Sequence, residues 1–193
     1  RALVDGRIQI DGVHPAIMTL SPEEMFFRAF RHADFDITEL SLASYAVSLA
    51  NGANKYVALP IFLSRAFRHS SIYVTHASGV QTPEQMRGKR IGIAEYQLTA
   101  NVWARALLED DYGVSPSEIT WVRGGMDSPV RPEKLNLDLP KDVKVEAAEA
   151  GQTLNQLMKD GKIDGFIGPR APKSFFEESS LIRRLFDEPV DTG

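Results

Sequence analysis

The chain has 193 residues, 43% apolar and 25% charged, enough to bury a real core and a length that allows either one domain or two small lobes. Its formal charge of −4 supplies no basic field of the kind that draws a protein onto nucleic acid or anionic lipid, so any anion site has to be local. With no cysteine and no apolar run near the ~20 residues that span a bilayer, disulfides, thiolate metal sites, cysteine nucleophiles and membrane insertion are all excluded, while the compartment stays open.

Ser21, Pro22 and Glu24 predict a capping box with proline at the first helical position, opening a helix over MFFRAFRHA. FDITEL (residues 35–40) alternates as a strand, SLASYAVSLANG reads as a helix closed by Gly52, and KYVALPIFL (55–63) is an apolar run of the buried-strand type. The basic segment SRAFRHSS (64–71) follows, and the pattern then restarts. IYVTH is a strand, Thr82, Pro83 and Gln85 cap a short helix ended by Gly88, and RIGIAE is a buried strand. LTANVWARALLEDD (98–111) is a well-patterned helix before Gly113, and ITWVRG is the next strand. Residues 124–141 read as a proline-rich loop. VKVEAAE is a strand, TLNQLMKDG a helix capped by Thr153 and stopped by Gly161, and IDGFIG a strand entering the turn GPRAP.

Strands alternating with helices predict an α/β fold with a mainly parallel sheet in each lobe and ligand sites at the carboxyl ends of strands. Three such ends carry chemistry: SRAFRHSS, EYQLTAN (95–101) and GPRAP (168–172). The expected division is residues 1–74 for the first lobe and first crossing, 75–168 for the second lobe, and 169–193 for the second crossing and the start of the return.

Arg65, Arg68 and His69, with Ser64, Ser70 and Ser71, place two guanidiniums and an imidazole within six residues, a set suited to carboxylate recognition. In an extended segment Arg65 shares a face with Phe67 and His69, and Arg68 with Ser70, so the arginines need not share a target. Salt bridges fixing a crossing are the alternative. The backbone amides around Thr99, Ala100 and Asn101 form a helix start suited to an anion, and Ser41, Ser44 and Tyr45 form another; plain N-capping is the alternative for each. Arg170, between Pro169 and Pro172, is a further carboxylate partner or ion-pair member. Glu95 either faces the ligand with Tyr96 or pairs with Arg68 or Arg123. His14, His32 and His76 lack metal-ligand spacing and read as surface or packing residues, and Trp103 and Trp121 read as core. No phosphate loop, serine elbow or dinucleotide fingerprint is present.

The strings FDITELSLASY, VALPIFLSRAFRHSSIYV, GKRIGIAEYQLTANVWARALLEDDYGV, ITWVRGG and DGKIDGFIGPRAP resemble the 4,5-dihydroxyphthalate decarboxylase family over nearly the whole chain. The resemblance implies a two-lobed, type 2 periplasmic-binding-protein-like fold, in which this chain would lack the strand before Arg1 and a C-terminal section after Gly193. The abrupt start RALVDGRI and stop EPVDTG fit processed or further ends. It also implies loss of CO2 from an aromatic dicarboxylate, 4,5-dihydroxyphthalate, to give protocatechuate, with no cofactor and with a homo-oligomer allowed. In that chemistry His69 is the expected acid and Glu95 the acceptor of a phenol proton. Arg65, Arg68, Ser70, Tyr96, Thr99, Asn101, Arg170, Ser41 and Ser44 would hold the substrate. A decarboxylase would be cytoplasmic. The alternatives are a periplasmic solute receptor working with a transporter permease, which needs the same cleft and no chemistry, and the effector domain of a transcription regulator.

Overall fold

Among the described residues, regular strands form where short segments find hydrogen-bonding neighbours. The computed structural model describes residues 2–128, 134–177 and 180–186. Its contacts divide the chain into two units, Arg1–Leu40 and Ser41–Gly193.

In the first unit, α1 (Pro22–His32) starts as predicted: the Ser21 hydroxyl accepts the Glu24 N–H at 3.3 Å with proline in the first turn. Acids in that turn and Arg31 and His32 in the last complement the helix dipole. The helix stops at Ala33, which takes the left-handed conformation with φ of 55°. Residues 35–40, expected as a strand, form none. Alternation alone does not make a strand: its N–H and C=O groups need a ladder partner, none is present there among the described residues, and Ile37 stays 86% exposed.

The second unit opens with α2 (Leu42–Ala50), as predicted. KYVALPIFL then departs from expectation in the same way. It carries no strand, and Val57 is 89% exposed. From residue 72 the five expected strands form, and a sixth, Ile182–Arg184, which the sequence did not single out, joins them. Six strands, β1 (Ile72–Thr75), β2 (Arg90–Ile93), β3 (Thr120–Arg123), β4 (Lys144–Ala147), β5 (Gly165–Ile167) and β6 (Ile182–Arg184), form one sheet in the order β4-β3-β2-β5-β1-β6. β4, β3, β2 and β5 pair in parallel, whereas β1 runs antiparallel to both neighbours.

α3 (Thr99–Asp110) and α4 (Leu154–Lys159) cover opposite faces of the sheet. Ile72, Val74, Ile91, Ile93, Trp121 and Ile167 pack with Ala104 and Leu108 of α3. Their strand neighbours Tyr73, Val122 and Phe166 pack with Leu154 and Leu157 of α4, the period-two alternation that a sheet buried on both faces requires. Gly165 is obligatory here, because a methyl group would run into the Tyr73 carbonyl. Of the proline-rich loop, residues 129–133 lie outside the described residues, and 124–128 and 134–141 form no helix or strand. Residues 178–179 and 187–193 of the expected second crossing also lie outside them. No described helix is long and apolar enough to cross a membrane.

Candidate functional site

Two helix starts meet through side chains. The Ser41 and Thr99 hydroxyls lie 3.0 Å apart, and the Ala43 N–H donates to the Thr99 hydroxyl at 3.0 Å. Thr99 therefore caps α2 rather than its own helix, whose N-cap is Leu98 and has no side-chain cap. Ser41 occupies the N-cap of α2 without making the capping bond, because its hydroxyl engages Thr99. The positive ends of α2 and α3 are thus held side by side. Ser44 in the first turn of α2 is fully buried, and its hydroxyl has no hydrogen-bond partner among the described residues. The Tyr45 hydroxyl accepts from the Ala58 N–H at 3.3 Å.

Between β2 and α3, the segment EYQLTAN carries a buried polar network. The Glu95 carboxylate meets the Lys134 ammonium at 2.7 Å, with 18% and 5% of the two side chains exposed. The Asn101 amide donates to the Glu95 carbonyl at 2.8 Å, and Gln97 approaches the Glu95 carboxylate at 3.4 Å. The Asn101 and Gln97 side-chain oxygens are buried without partners among the described residues, an arrangement that costs free energy unless a ligand or water completes it. Of the three amides expected to face an anion, that of Asn101 is already taken by the Leu98 carbonyl. Pairing of Glu95 with Arg68 is not realised; Lys134 takes that place. A lysine in a loop reads as solvated, so nothing in the local pattern pointed to it.

The basic segment is not extended throughout. Arg68–Ser71 form a 3₁₀ turn, closed by a hydrogen bond from the Ser70 hydroxyl to the Phe67 carbonyl at 3.0 Å, so the expected alternation of faces ends at Arg68. The turn packs on α3. Arg65 is exposed and lies 5.6 Å over the Phe62 ring. Arg68 is half-buried, and burial pushes its guanidinium below the usual arginine range. It has no hydrogen-bond or ion-pair partner among the described residues, and within that set neither arginine makes a salt bridge. His69 is half-buried, edge-on to Phe186 with centroids 5.0 Å apart. Arg170 is exposed in the bend between Pro169 and Pro172.

A cavity of about 270 Å³ opens at the carboxyl ends of β3 and β4, lined by Tyr96, Arg123, Leu137, Leu139, Val145 and Ala147. Arg123 ends β3, Val145 and Ala147 belong to β4, and Leu137 and Leu139 come from the proline-rich loop. Its lining sets one phenol and one guanidinium among four aliphatic side chains, a mixed surface that can meet both the ring and the charge of a small aromatic anion. Burial pushes the Tyr96 phenol up, and the nearby Arg105 pulls it partly back. His14, His32 and His76 are exposed, and no group of metal-ligating side chains assembles among the described residues. Trp121 is core, as expected, but Trp103 is 58% exposed: it lies off the α3 stripe formed by Ala100, Ala104 and Leu108.

An α/β protein emerges, with a mostly parallel sheet, two joined helix starts, a half-buried arginine lacking a counter-ion among the described residues, and a cavity at its strand ends. No family model matches the chain. It is 54% identical over 189 residues to a 4,5-dihydroxyphthalate decarboxylase of Comamonas testosteroni, covering 98% of this chain and 57% of that protein. It is 52% identical over 189 residues to a 4,5-dihydroxyphthalate decarboxylase of Pseudomonas putida, covering 98% of this chain and 73% of that protein. The chain belongs to the 4,5-dihydroxyphthalate decarboxylase family, and spans 57% of the length of the Comamonas relative.

Proposed function

We propose that this chain carries the site of a non-oxidative decarboxylase that converts 4,5-dihydroxyphthalate to protocatechuate and CO2. The observation that carries the reading is the 52% identity, over nearly the whole chain, to a decarboxylase of which it spans 73%. The site chemistry supports it. Arg68 is a half-buried cation without a counter-ion among the described residues, the paired starts of α2 and α3 add positive potential, and the cavity beside Tyr96 sets a phenol and a guanidinium among aliphatic side chains.

Loss of CO2 leaves the electron pair of the broken bond on a ring carbon, which takes up one proton. The hydroxyl para to that carbon supplies electron density. His69 is the proposed proton donor, since an imidazole can give up a proton and regain it within one catalytic cycle, and Glu95, held by Lys134, is the proposed acceptor of the phenol proton. An arginine gripping the departing carboxylate would stabilise the ground state, so Arg68, with Arg65 and Arg170, is assigned to the retained one. Ser44 and Asn101 keep buried oxygens without partners among the described residues and are assigned to the ligand with Ser41, Thr99, Ser70 and Tyr96. Of these, Ser41, Thr99 and Ser70 already engage their hydroxyls within the protein, which leaves them secondary roles.

The reading extends to a two-lobed, type 2 periplasmic-binding-protein-like architecture, with residues 75–168 as the second lobe and 1–74 and 169–193 completing the first lobe and the crossings. A single antiparallel strand, β1, inside an otherwise parallel set supports it. Under this reading the enzyme is cytoplasmic and needs no permease. The full-length protein incubated with 4,5-dihydroxyphthalate is expected to release CO2 and protocatechuate in equal amounts. Binding without product would favour a solute receptor instead. His69→Ala is expected to abolish turnover with binding largely kept, and turnover equal to the parent would remove His69 as the acid.

A further inference from the structure

We propose that Arg105 is a positioning residue for the cavity: its guanidinium, stacked on the Tyr96 ring, fixes that ring and its hydroxyl at the wall where an aromatic acid binds. The proposal rests on the functional reading above and adds a residue that the sequence did not single out.

Arg105 lies on the inner face of α3 and is only 8% exposed. Its guanidinium sits 3.7 Å from the centroid of the Tyr96 ring and 5.6 Å from that of Trp121. Its Nη1 donates to the Tyr96 carbonyl at 2.8 Å. The Tyr96 ring in turn meets Trp121 edge-to-face, with centroids 6.0 Å apart and planes at 81°. Trp121 is itself fixed, fully buried with its indole N–H donated to the Pro116 carbonyl at 2.9 Å. No carboxylate pairs with Arg105 among the described residues.

A buried guanidinium without a carboxylate is costly, and a methionine of similar volume would pack on this face at lower cost. What the charge obtains in return converges on one residue: the carbonyl of Tyr96, the face of its ring, and the tryptophan against which that ring rests. A planar guanidinium can stack and donate at once, which an ammonium cannot. Tyr96 follows Glu95 directly and lines the cavity. A cation on the ring face also makes its hydroxyl a stronger donor toward the ring oxygens or carboxylate of a bound aromatic acid.

The test uses Arg105→Met, Arg105→Lys, Tyr96→Phe and the Arg105→Met/Tyr96→Phe double variant. With 4,5-dihydroxyphthalate, Arg105→Met is expected to raise KM and lower kcat/KM on the order of tenfold, the size that a desolvated cation–π contact can carry. In the Tyr96→Phe background the same change is expected to cost less than about threefold, because the hydroxyl that Arg105 positions is already gone. Equal losses in both backgrounds would overturn the proposal.

A second readout does not depend on turnover. Protein labelled with 3-fluorotyrosine is expected to show one ¹⁹F resonance, assigned by its loss in Tyr96→Phe, that moves toward the unfolded-chain position in Arg105→Met and part-way in Arg105→Lys. An unmoved resonance would overturn the proposal. A parent protein inactive on 4,5-dihydroxyphthalate would refute the functional reading alone, leaving the fluorine measurement to decide on Arg105. If Arg105→Met does not fold, Arg105→Lys is read by the same signal.

Discussion

Replacing Lys134 with methionine leaves the Glu95 carboxylate in a largely enclosed site without its cation. The pair is close, at 2.7 Å, and only 5% of the lysine and 18% of the glutamate side chain are exposed. Removing one member of a buried pair costs about 3–5 kcal/mol. The glutamate keeps some water and a long contact to Gln97 at 3.4 Å, so the expected loss is at the lower end, about 3 kcal/mol. For a protein of this size that corresponds to a fall in Tm of about 6–12 °C. Urea unfolding of the parent, Lys134→Met, Glu95→Gln and the double variant measures it. The double variant should return to within about 1 kcal/mol of the parent, because no charge is left buried alone. A loss under about 0.5 kcal/mol in Lys134→Met, typical of a surface pair, or a double variant as unstable as the sum of the singles, would refute the buried-pair account.

Thr99→Val removes the hydroxyl that caps α2 and should cost about 1 kcal/mol in urea unfolding, and a neutral result would contradict the cross-helix cap. Arg68→Gln breaks no ion pair among the described residues, so thermal stability should hold while KM for 4,5-dihydroxyphthalate rises at least about tenfold, the scale of one charge-assisted hydrogen bond; unchanged KM would remove Arg68 from the site. Burial raises the Tyr96 phenol, so the folded state holds that proton more tightly than the unfolded chain. Its contribution to stability is constant below the ordinary phenol value near 10 and is lost as pH rises through the raised one. Unfolding measured at pH 9 and at pH 11 should therefore show a smaller alkaline loss in Tyr96→Phe than in the parent, and equal losses would contradict the burial of the phenol.

The second half of the fold was readable because each of its signals is local. Thr153 and Gly161 bracket α4, Thr82 and Gln85 cap a short turn, and RIGI, TWVR and GFI are apolar runs whose neighbours in the sheet are also present. FDITEL and KYVALPIFL carry equally good local patterns and form no strand, since a strand exists only with a partner and pairing is not a local property. The site divides along the same line. Ser41 and Thr99 were legible as helix starts, but their bond joins residues 58 positions apart, and no spacing rule predicts it. Lys134 and Arg105 were missed because long charged side chains are ordinarily solvated. The one available cue was that Arg105 falls four residues after Asn101 on the inner stripe of α3.

The most direct test of the account is to run the reaction in D2O with full-length protein and 4,5-dihydroxyphthalate and to follow it by proton NMR together with released CO2. The account predicts protocatechuate carrying one deuterium at the ring carbon ortho to the retained carboxylate, formed one-for-one with CO2. Recovery of intact, protein-bound 4,5-dihydroxyphthalate with no CO2 would contradict it.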